Sequence, residues 1–315
     1  MGKKIRVCVL FGGKSGEHEV SLKSATSVIA SLDRSKYEVL PVKISREGQS
    51  LPPEFVALLS SSERPYDVVF PVLHGPYGED GTLQGFLELA GVPFVGSDTL
   101  SSALAMDKLM AKKVFFADGI PTPPYWFFRA GDEPDISSVF FPCVVKPMNS
   151  GSSVGISIVR KEDELQEALR KAFPEDRKGE VLVEKYIAGQ EITVPVLGDR
   201  ALPVILIRPK KDGAWFDYEV KYNSDLVDEI VPAPLPEDVT ARVQALALRA
   251  HQALKCRHIS RTDMIIEEGT GGVYVLEVNT MPGMTSASLF PKAAKAAGIS
   301  FPELLDRLIG FALEK

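Results

Sequence analysis

Residues 261–283, RTDMIIEEGTGGVYVLEVNTMPG, contain two apolar runs on either side of a short glycine-rich segment. This pattern is typical of a β-hairpin whose turn lies at GTGG, around Thr270. If the hairpin is centred on Thr270, Asp263 lies opposite Glu277, and Asn279 follows on the same face because side chains alternate along a strand. Arg261 is predicted to share that face. The stretch therefore predicts a hairpin whose apolar strands are interrupted by charged and amide side chains.

These polar side chains predict a metal site. Two directly opposed carboxylates repel each other unless a cation or a proton lies between them. Oxygen ligands suit Mg²⁺, which proteins usually hold with one or two carboxylates and with the phosphates of a substrate. The alternative is a strand edge whose charges only prevent aggregation. We favour a metal site formed by Asp263, Glu277 and Asn279, with Arg261 beside it.

The composition restricts the class of protein. The chain has 315 residues, of which 45% are hydrophobic and 25% charged, as is usual for a globular protein of two or three domains. The formal net charge of −6 argues against a nucleic-acid partner. No apolar run is long enough to be a membrane span or a signal peptide. The three cysteines lack metal-ligand spacing, and we expect a cytoplasmic protein in which they are reduced and no membrane is a partner.

The first hundred residues alternate predicted strands and helices. The run IRVCVL is almost continuously apolar, as expected of a strand that is covered on both faces. The succession of strand and helix predicts an α/β fold with an open parallel sheet. Residues 99–118 are predicted to form one long helix. Two further units follow, which make the class α+β in part, and the expected domains are residues 1–98, 99–182 and 183–315.

The glycine-rich segment FGGKSGEHEVSLKSA, residues 11–25, contains GKS but is not a P-loop. The motif requires a glycine at the position of Cys8. A turn followed by a helix start can bind an anion, but Glu17 and Glu19 would repel a phosphate. Glu17 suits an ammonium group; the alternative is that it caps the helix.

Two other loops follow predicted strands. In HGPYGEDGTLQG, residues 74–85, His74 is expected at the carboxyl edge of the parallel sheet, where such sheets bind ligands; the alternative is a plain glycine turn. In FPCVVKPMNSGSSVGISIV, residues 141–159, Lys146 ends a strand, and the loop can wrap phosphates with its amides and the hydroxyls of Ser150, Ser152 and Ser153. The alternative there is a loop without function. Glu184 and Glu191 are carboxylates in apolar surroundings, which alone is a weak signal.

Seven segments together resemble the D-alanine–D-alanine ligase family of the ATP-grasp superfamily. They occur in the family's order from Val7 to the C-terminus: GGKSGEHEVSLKSA, HGPYGEDGTLQG, MDK, VKPMNSGSSVGIS, DYEVKY, RTD and LEVNTMPGMTSAS. The resemblance implies a three-domain ATP-grasp fold. Residues 1–98 would bind substrate, residues 99–182 would carry the serine flap, and residues 183–315 would carry the metal site and the pocket for a second substrate.

The resemblance implies that ATP lies between the central and C-terminal domains. Its phosphates would contact Lys108, Lys146 and the flap with Ser152 and Ser153. The adenine edge would lie along residues 184–187, and Glu191 would take the ribose. The remaining implied ATP ligands are Glu184, Lys185, Ile187 and Lys221. Two Mg²⁺ ions, with Mn²⁺ as an alternative, would be held by Asp263, Glu277 and Asn279.

The resemblance also implies a reaction between two D-alanine molecules for peptidoglycan precursor synthesis. Glu17 would bind the ammonium of the first D-alanine, with His74 nearby. Arg261 and the N–H of Gly283 would stabilise an oxyanion. Ser288 and the N–H of Leu289 would bind the carboxylate of the second D-alanine.

Tyr222 implies the nature of the second nucleophile. In relatives that form D-alanyl-D-alanine, this tyrosine connects through the flap Ser152 to Glu17, and this sequence retains all three residues. An amine is therefore expected as the nucleophile, and D-Ala-D-Ser or D-Ala-D-lactate ligation is the alternative. A non-catalytic ATP-binding protein would have lost ligands that are present here. An oxidoreductase is disfavoured because no GxGxxG follows the first strand. The family resemblance further implies a homodimer.

Overall fold

The computed structural model describes residues 3–47, 53–56, 65–132, 136–149, 154–210 and 226–314. Four residues with predicted roles, Ser152, Ser153, Lys221 and Tyr222, lie outside these ranges, as does Ser150. The other predicted site residues can be placed.

The N-terminal part contains the predicted parallel sheet. Its strands are β1 (Ile5–Gly12), β2 (Tyr37–Ile44) and β3 (Val68–Pro71), in the order β2-β1-β3. The helices here are α1 (His18–Ser31), the short α2 (Pro53–Val56) and α3 (Thr82–Leu89). After α3, the chain adds an isolated bridge to this sheet, between Val69 and Phe94. All pairings of β1 are parallel, so its neighbours' carboxyl ends meet at one edge, as predicted.

The predicted long helix at 99–118 is in fact two helices, α4 (Thr99–Met106) and α5 (Lys108–Ala117). Asp107 is extended, with φ −81° and ψ 102°, and its carboxylate accepts the N–H of Met110 at 2.9 Å. The aspartate therefore ends one helix and caps the next, which makes Lys108 the first residue of α5. Both helices pack on the core of the C-terminal sheet through Ala105, Ala111 and Phe115.

The central part is an antiparallel sheet in the order β4-β7-β5-β6. Its strands are β4 (Tyr125–Arg129), β5 (Cys143–Pro147), β6 (Ser157–Val159) and β7 (Glu180–Lys185). The strands β5 and β6 pair with each other. The helix α6 (Leu165–Ala172) covers the sheet with an apolar face, whose residues Leu165, Ala168, Leu169 and Ala172 are buried.

The C-terminal part is a six-stranded sheet in the order β11-β10-β8-β12-β13, with β9 paired to β8. Its strands are β8 (Gly189–Leu197), β9 (Arg200–Ala201), β10 (Ile205–Pro209), β11 (Val227–Ile230), β12 (Ile259–Glu267) and β13 (Val273–Asn279). The helices are α7 (Glu237–Ala253), α8 (Leu289–Ala296) and α9 (Phe301–Leu313). Ser300 caps α9 by accepting the N–H of Glu303 at 3.4 Å.

The division into three parts remains our proposal. The strand β7 belongs to the central sheet but runs from Glu180 to Lys185 across the predicted boundary between 182 and 183. We therefore place that boundary after Lys185.

Within the described ranges, no helix has the length and apolar character needed to cross a membrane.

The β12–β13 hairpin has the predicted register where the polar residues lie. Asp263 pairs with Glu277 and Arg261 with Asn279, but the next pair is Met264 with Val275. Leu276 is therefore the extra residue of a β-bulge, which the sequence analysis did not predict. A bulge re-aims the side chains that follow it. Because of it, Glu277 lies opposite Asp263 while Tyr274, rather than Val275, lies opposite Ile265.

Thr262 occupies the other face of β12, between Val194 and Val278 of the neighbouring strands. It is fully buried, and within the described residues its Oγ1 has no hydrogen-bond partner. We expect Thr262→Val to raise the free energy of unfolding by about 1 kcal/mol, because it removes an unsatisfied hydroxyl and keeps the shape. Urea denaturation measures the change.

Thr193→Val is the matched control on β8. Thr193 Oγ1 donates to Asp263 Oδ1 at 2.6 Å, so this variant should lower the free energy of unfolding. A loss of stability in Thr262→Val would contradict the assignment of an unsatisfied hydroxyl.

Candidate active site

A narrow slot lies between the central and C-terminal sheets. It is bounded mainly by apolar side chains, with two lysines and a glutamate among the lining; the lining includes Val144, Ile187, Ile265, Leu276, Lys146, Lys185 and Glu184. Apolar walls with a few fixed polar groups are typical of a ligand pocket. Glu191 pairs with Ile265 across β8 and β12, which places it beside the slot. Lys185 ends β7 in an exposed position.

Three buried charges form a chain beside the slot. Lys146 Nζ lies 2.9 Å from Glu184 Oε2, and Lys112 Nζ lies 3.1 Å from Glu184 Oε1. Burial disfavours the Glu184 carboxylate, but the two lysines outweigh this and lower its pKa. Burial likewise opposes the charge of Lys146, yet Glu184 and Glu277 raise the pKa of that lysine. For Lys112 burial prevails and lowers the pKa to about 8.

A small pocket adjoins the polar end of the hairpin. It is lined by Lys108, Glu277, Asn279, Arg261 and Glu79, among others. Lys108 Nζ, at the start of α5, lies 3.7 Å from Glu277 Oε2. The structure thus brings the predicted phosphate-binding lysine to the predicted metal-binding glutamate. A lysine can bind a phosphate directly, whereas a carboxylate can interact with a phosphate only through a metal ion.

Asp263 is paired with a positive charge, that of Arg261. Arg261 donates to it twice, from Nε to Oδ1 at 3.0 Å and from the NH2 nitrogen to Oδ2 at 2.9 Å. Thr193 adds a third hydrogen bond. Burial opposes the charge of Arg261, but Asp263 outweighs it and raises the pKa of the guanidinium. The predicted repulsion between the opposed carboxylates is therefore reduced by an arginine.

The oxygen donors at the end of the hairpin form an incomplete set of metal ligands. In the described ranges no group of three or more His, Cys, Asp or Glu side chains is arranged to hold an ion. The hairpin offers two carboxylates and the amide of Asn279, whose Oδ1 also accepts the N–H of Met281 at 2.8 Å. An incomplete set of oxygen donors fits Mg²⁺, which completes its shell with phosphate oxygens and water.

His74 joins the N-terminal sheet to the segment after β13. Its Nδ1 lies 3.1 Å from the carbonyl oxygen of Met281 and 3.3 Å from Glu79 Oε1, and its Nε2 lies 3.1 Å from Ser24 Oγ. Ser24 Oγ also accepts the N–H of Met284 at 3.4 Å. Burial raises the pKa of Glu79 to about 7. Burial opposes protonation of His74, but Glu79 raises its pKa overall. The histidine therefore holds the corner that Pro282 and Gly283 form between Met281 and Met284.

Glu17 lies next to this histidine, directly before α1, and is mostly buried. A Cβ on Gly75 would lie 2.6 Å from Glu17 Oε2, so the turn after His74 approaches the carboxylate closely. Gly75 also has φ +74°, a conformation that glycine adopts without strain. The structure thus brings together the two residues that were predicted to meet the first substrate.

Gly283 and Ser288 lie on the other side of the same corner. A Cβ on Gly283 would lie 3.1 Å from Ser288 Oγ, which is tight. Ser288 immediately precedes α8, and Leu289 is the first residue of that helix. The N–H groups of a first helical turn lack intrahelical partners and favour a carboxylate.

Four residues of this region were missed by the sequence analysis: Lys112, Glu79, Ser24 and Thr193. Lys112 follows Lys108 by four residues, so the two share one face of a helix. That spacing was a usable signal. Ser24 lies in α1, Thr193 in β8 and Glu79 in the turn before α3, and only the packing shows that these polar side chains lie at the site.

The two sheets around a slot that carries lysines, together with the similarity to solved ATP-grasp ligases and to their family models, place the chain in the class of ATP-dependent ligases with the ATP-grasp fold. Residues 114–310 match the family model "D-ala D-ala ligase C-terminus", and residues 6–57 and 57–97 match "D-ala D-ala ligase N-terminus". The chain belongs to the D-alanine–D-alanine ligase family.

Individual relatives agree with this assignment over the full length. The D-alanine–D-alanine ligase of Syntrophobacter fumaroxidans is 44% identical and aligns over 99% of both chains. The crystal structure of the Bacillus anthracis ligase complexed with ATP has a TM-score of 0.83 at 38% identity, covering 98% of this chain and 97% of that one. The crystal structure of the VanG D-Ala:D-Ser ligase of Enterococcus faecalis has a TM-score of 0.85 at 36% identity, covering 98% of this chain and 100% of that one.

Proposed function

We propose that the protein joins two D-alanine molecules to D-alanyl-D-alanine, with conversion of ATP to ADP and phosphate, for peptidoglycan precursor synthesis. The observation that carries the proposal is the meeting of three parts at one place. The nucleotide slot, the Lys108–Glu277 pair and the corner with Gly283 lie in sequence along the end of the β12–β13 hairpin.

ATP fits this arrangement with its adenine in the slot. Lys108 and Lys146 are assigned to the phosphates and Glu191 to the ribose. Because the Glu184 carboxylate already contacts two lysines, we assign the adenine edge to the backbone of Lys185 and Ile187. Contacts from Ser152, Ser153 and Lys221 remain proposals that rest on the family resemblance.

Asp263, Glu277 and Asn279 would hold Mg²⁺ ions, and the family resemblance implies two of them, with Mn²⁺ as an alternative. The charge of these ions would offset that of the phosphates. The residues of the chain perform the other tasks of phosphoryl transfer. The carboxylate of the first D-alanine attacks the γ-phosphorus of ATP, and ADP leaves. Lys108 and Lys146 stabilise the charge on the transferred group. The product of this step is a D-alanyl phosphate.

In the second step the amine of the other D-alanine attacks the carbonyl carbon of that acyl phosphate. Phosphate leaves, and the nitrogen loses a proton as the amide forms. Arg261 and the N–H of Gly283 are assigned to the oxyanion. Glu17, next to His74, holds the first ammonium, while Ser288 and the N–H of Leu289 hold the second carboxylate. Exclusion of water prevents hydrolysis of the acyl phosphate. Tyr222 and Ser152 are assigned to the closure of the site.

We further propose that the enzyme acts in the cytoplasm as a homodimer. The three cysteines, Cys8, Cys143 and Cys256, are buried and unbridged, which suits a reducing compartment. Leu89 on α3 and Leu100 on α4 are 79% and 52% exposed. The two helices are linked by a hydrogen bond from Thr99 to Glu88. An exposed apolar surface on adjacent helices is typical of a subunit interface.

D-Alanine should stimulate phosphate release from ATP in the presence of Mg²⁺, and D-alanyl-D-alanine should accumulate. Each D-amino acid is tested in turn, with L-alanine as the control. The absence of stimulation by D-alanine would refute the proposed function.

The similarity to a D-Ala:D-Ser ligase makes the second substrate a separate question. With D-alanine, D-serine and D-lactate competing at neutral pH, we expect the D-Ala-D-Ala dipeptide to dominate. A dominant D-Ala-D-Ser or depsipeptide product would keep the ligase assignment and replace the substrate.

Glu277→Gln should reduce turnover by at least about 100-fold, because it removes a metal-binding charge. The fold should persist, since the side chain is partly exposed and glutamine has the same shape. Glu268→Gln, in the exposed turn of the same hairpin, is the control and should keep full activity. Steady-state phosphate release measures both variants, and near-normal turnover of Glu277→Gln would contradict its assignment.

Light scattering after size exclusion should give a mass twice that of one chain. Leu89→Asp should shift the population to monomer, since it places a charge in the apolar surface. Exposed Phe116 on α5 offers a comparison, because Phe116→Asp changes a different surface. A monomeric unsubstituted protein would overturn the proposed dimer.

A further inference from the structure

Lys112 is completely buried on α5, and no step of the proposed reaction uses it. A fully buried lysine is rare because removing an ammonium from water is costly unless the charge is paired. Its helix also supplies Lys108, one turn earlier, which faces Glu277. Burial of Lys112 behind the proposed phosphate-binding lysines therefore requires a partner for its charge.

The contacts of Lys112 connect several elements. Its Nζ lies 3.1 Å from Glu184 Oε1 on β7 and 2.5 Å from Thr122 Oγ1, in the segment before β4. The Thr122 hydroxyl in turn donates to the carbonyl oxygen of Val275 on β13 at 2.8 Å. The Tyr125 ring centroid is 5.7 Å from the ammonium. These contacts fix the ammonium on the side of Glu184 that faces away from Lys146.

Glu184 is thus shared between two cations. Its Oε2 receives Lys146 at 2.9 Å, while its Oε1 faces Lys112. With both lysines charged, the group of three side chains carries one net positive charge. If Lys112 were uncharged, Glu184 and Lys146 would form a neutral pair, and the attraction of Lys146 for a phosphate would be offset by the adjacent carboxylate.

We propose that Lys112 is a positioning residue for ATP, which balances the charge of Glu184 from the buried side and so leaves the charge of Lys146 available to the phosphates. The inference deepens the proposed function, since it rests on the nucleotide lying in the slot. Lys112 itself does not touch the nucleotide; it acts through Glu184.

The protonation of Lys112 supports this role. Burial lowers its pKa to about 8, against the opposing effect of Glu184. The charged or titratable groups around it are Glu184 on β7, Lys146 on β5, Glu277 on β13 and Tyr125 on β4. Because a lysine is charged below its pKa, ATP affinity should fall as the pH rises through about 8. An arginine stays charged over that range.

The test is the dissociation constant of Mg²⁺-ATP, measured by calorimetry, for Lys112→Met, Lys112→Arg and the exposed neighbour Lys113→Met. We expect Lys112→Met to weaken ATP binding roughly tenfold, as removal of one partly compensated charge near a phosphate predicts. Lys113→Met should bind like the unsubstituted protein. Unchanged ATP binding by Lys112→Met would overturn the inference.

A second-site variant separates charge balance from packing. In Lys112→Met/Glu184→Gln the net charge of the three buried side chains is again one positive, from Lys146. ATP binding should therefore recover relative to Lys112→Met. A purely structural lysine predicts no recovery. If Lys112→Met does not fold, Lys112→Arg is compared with the unsubstituted protein instead. The loss of ATP affinity above pH 8 should be absent in the arginine variant. An identical pH profile of the two proteins would reject the role.

ATP binding without D-alanine also separates this inference from the proposed function. If D-alanine stimulates no phosphate release while the lysine variants still show the predicted order of ATP affinities, the function fails and the positioning role stands. If the ligase assay succeeds while Lys112→Met binds ATP normally, the positioning role fails alone.

Discussion

The pairing of β12 with β13 is the constraint on which the site depends. Asp263 lies opposite Glu277, and two residues further along β12 Ile265 lies opposite Tyr274. Regular pairing would place Val275 opposite Ile265, so the bulge at Leu276 shifts the register by one residue. The hairpin thereby lines the slot with Ile265 and Leu276, and it lines the adjoining small pocket with Arg261, Glu277 and Asn279. Under the proposed function, the same two strands would meet both the adenine and the phosphates of one nucleotide.

The N-terminal sheet is coupled to this hairpin through a few buried polar contacts. His74 binds the carbonyl of Met281 and, through Ser24, the N–H of Met284. The corner between these residues contains Gly283, so its backbone is held from both sides by the domain that is assigned to the first substrate. A movement of either part would displace the N–H that is proposed to meet the oxyanion. Under the proposed function, substrate binding and oxyanion stabilisation would therefore be linked.

The sequence predicted the fold class, the parallel N-terminal sheet and the Asp263–Glu277 pairing, because apolar periodicity and a glycine turn determine them locally. It did not predict the bulge, since the extra residue, Leu276, looks like any apolar strand residue. The helix break at Asp107 was missed because apolar spacing continues through it. Lys112 was missed for a different reason: a lysine on a helix is usually solvated, and only the tertiary structure supplies the buried Glu184 that pairs with it.

The charges around the slot and the adjoining pocket nearly balance. The cations Lys108, Lys112, Lys146 and Arg261 lie close to Glu184, Asp263 and Glu277, while Glu79 lines the small pocket and Glu191 lies beside the slot. The protein as a whole carries a net charge of −6, so neither the site nor the chain has a large positive excess. A triphosphate brings more negative charge than such a site can offset in a buried place. Under the proposed function, additional cations are therefore required on binding, and the oxygen donors of the hairpin would receive them. The lysines would then contact the phosphates directly, whereas the hairpin would act through the metal ions.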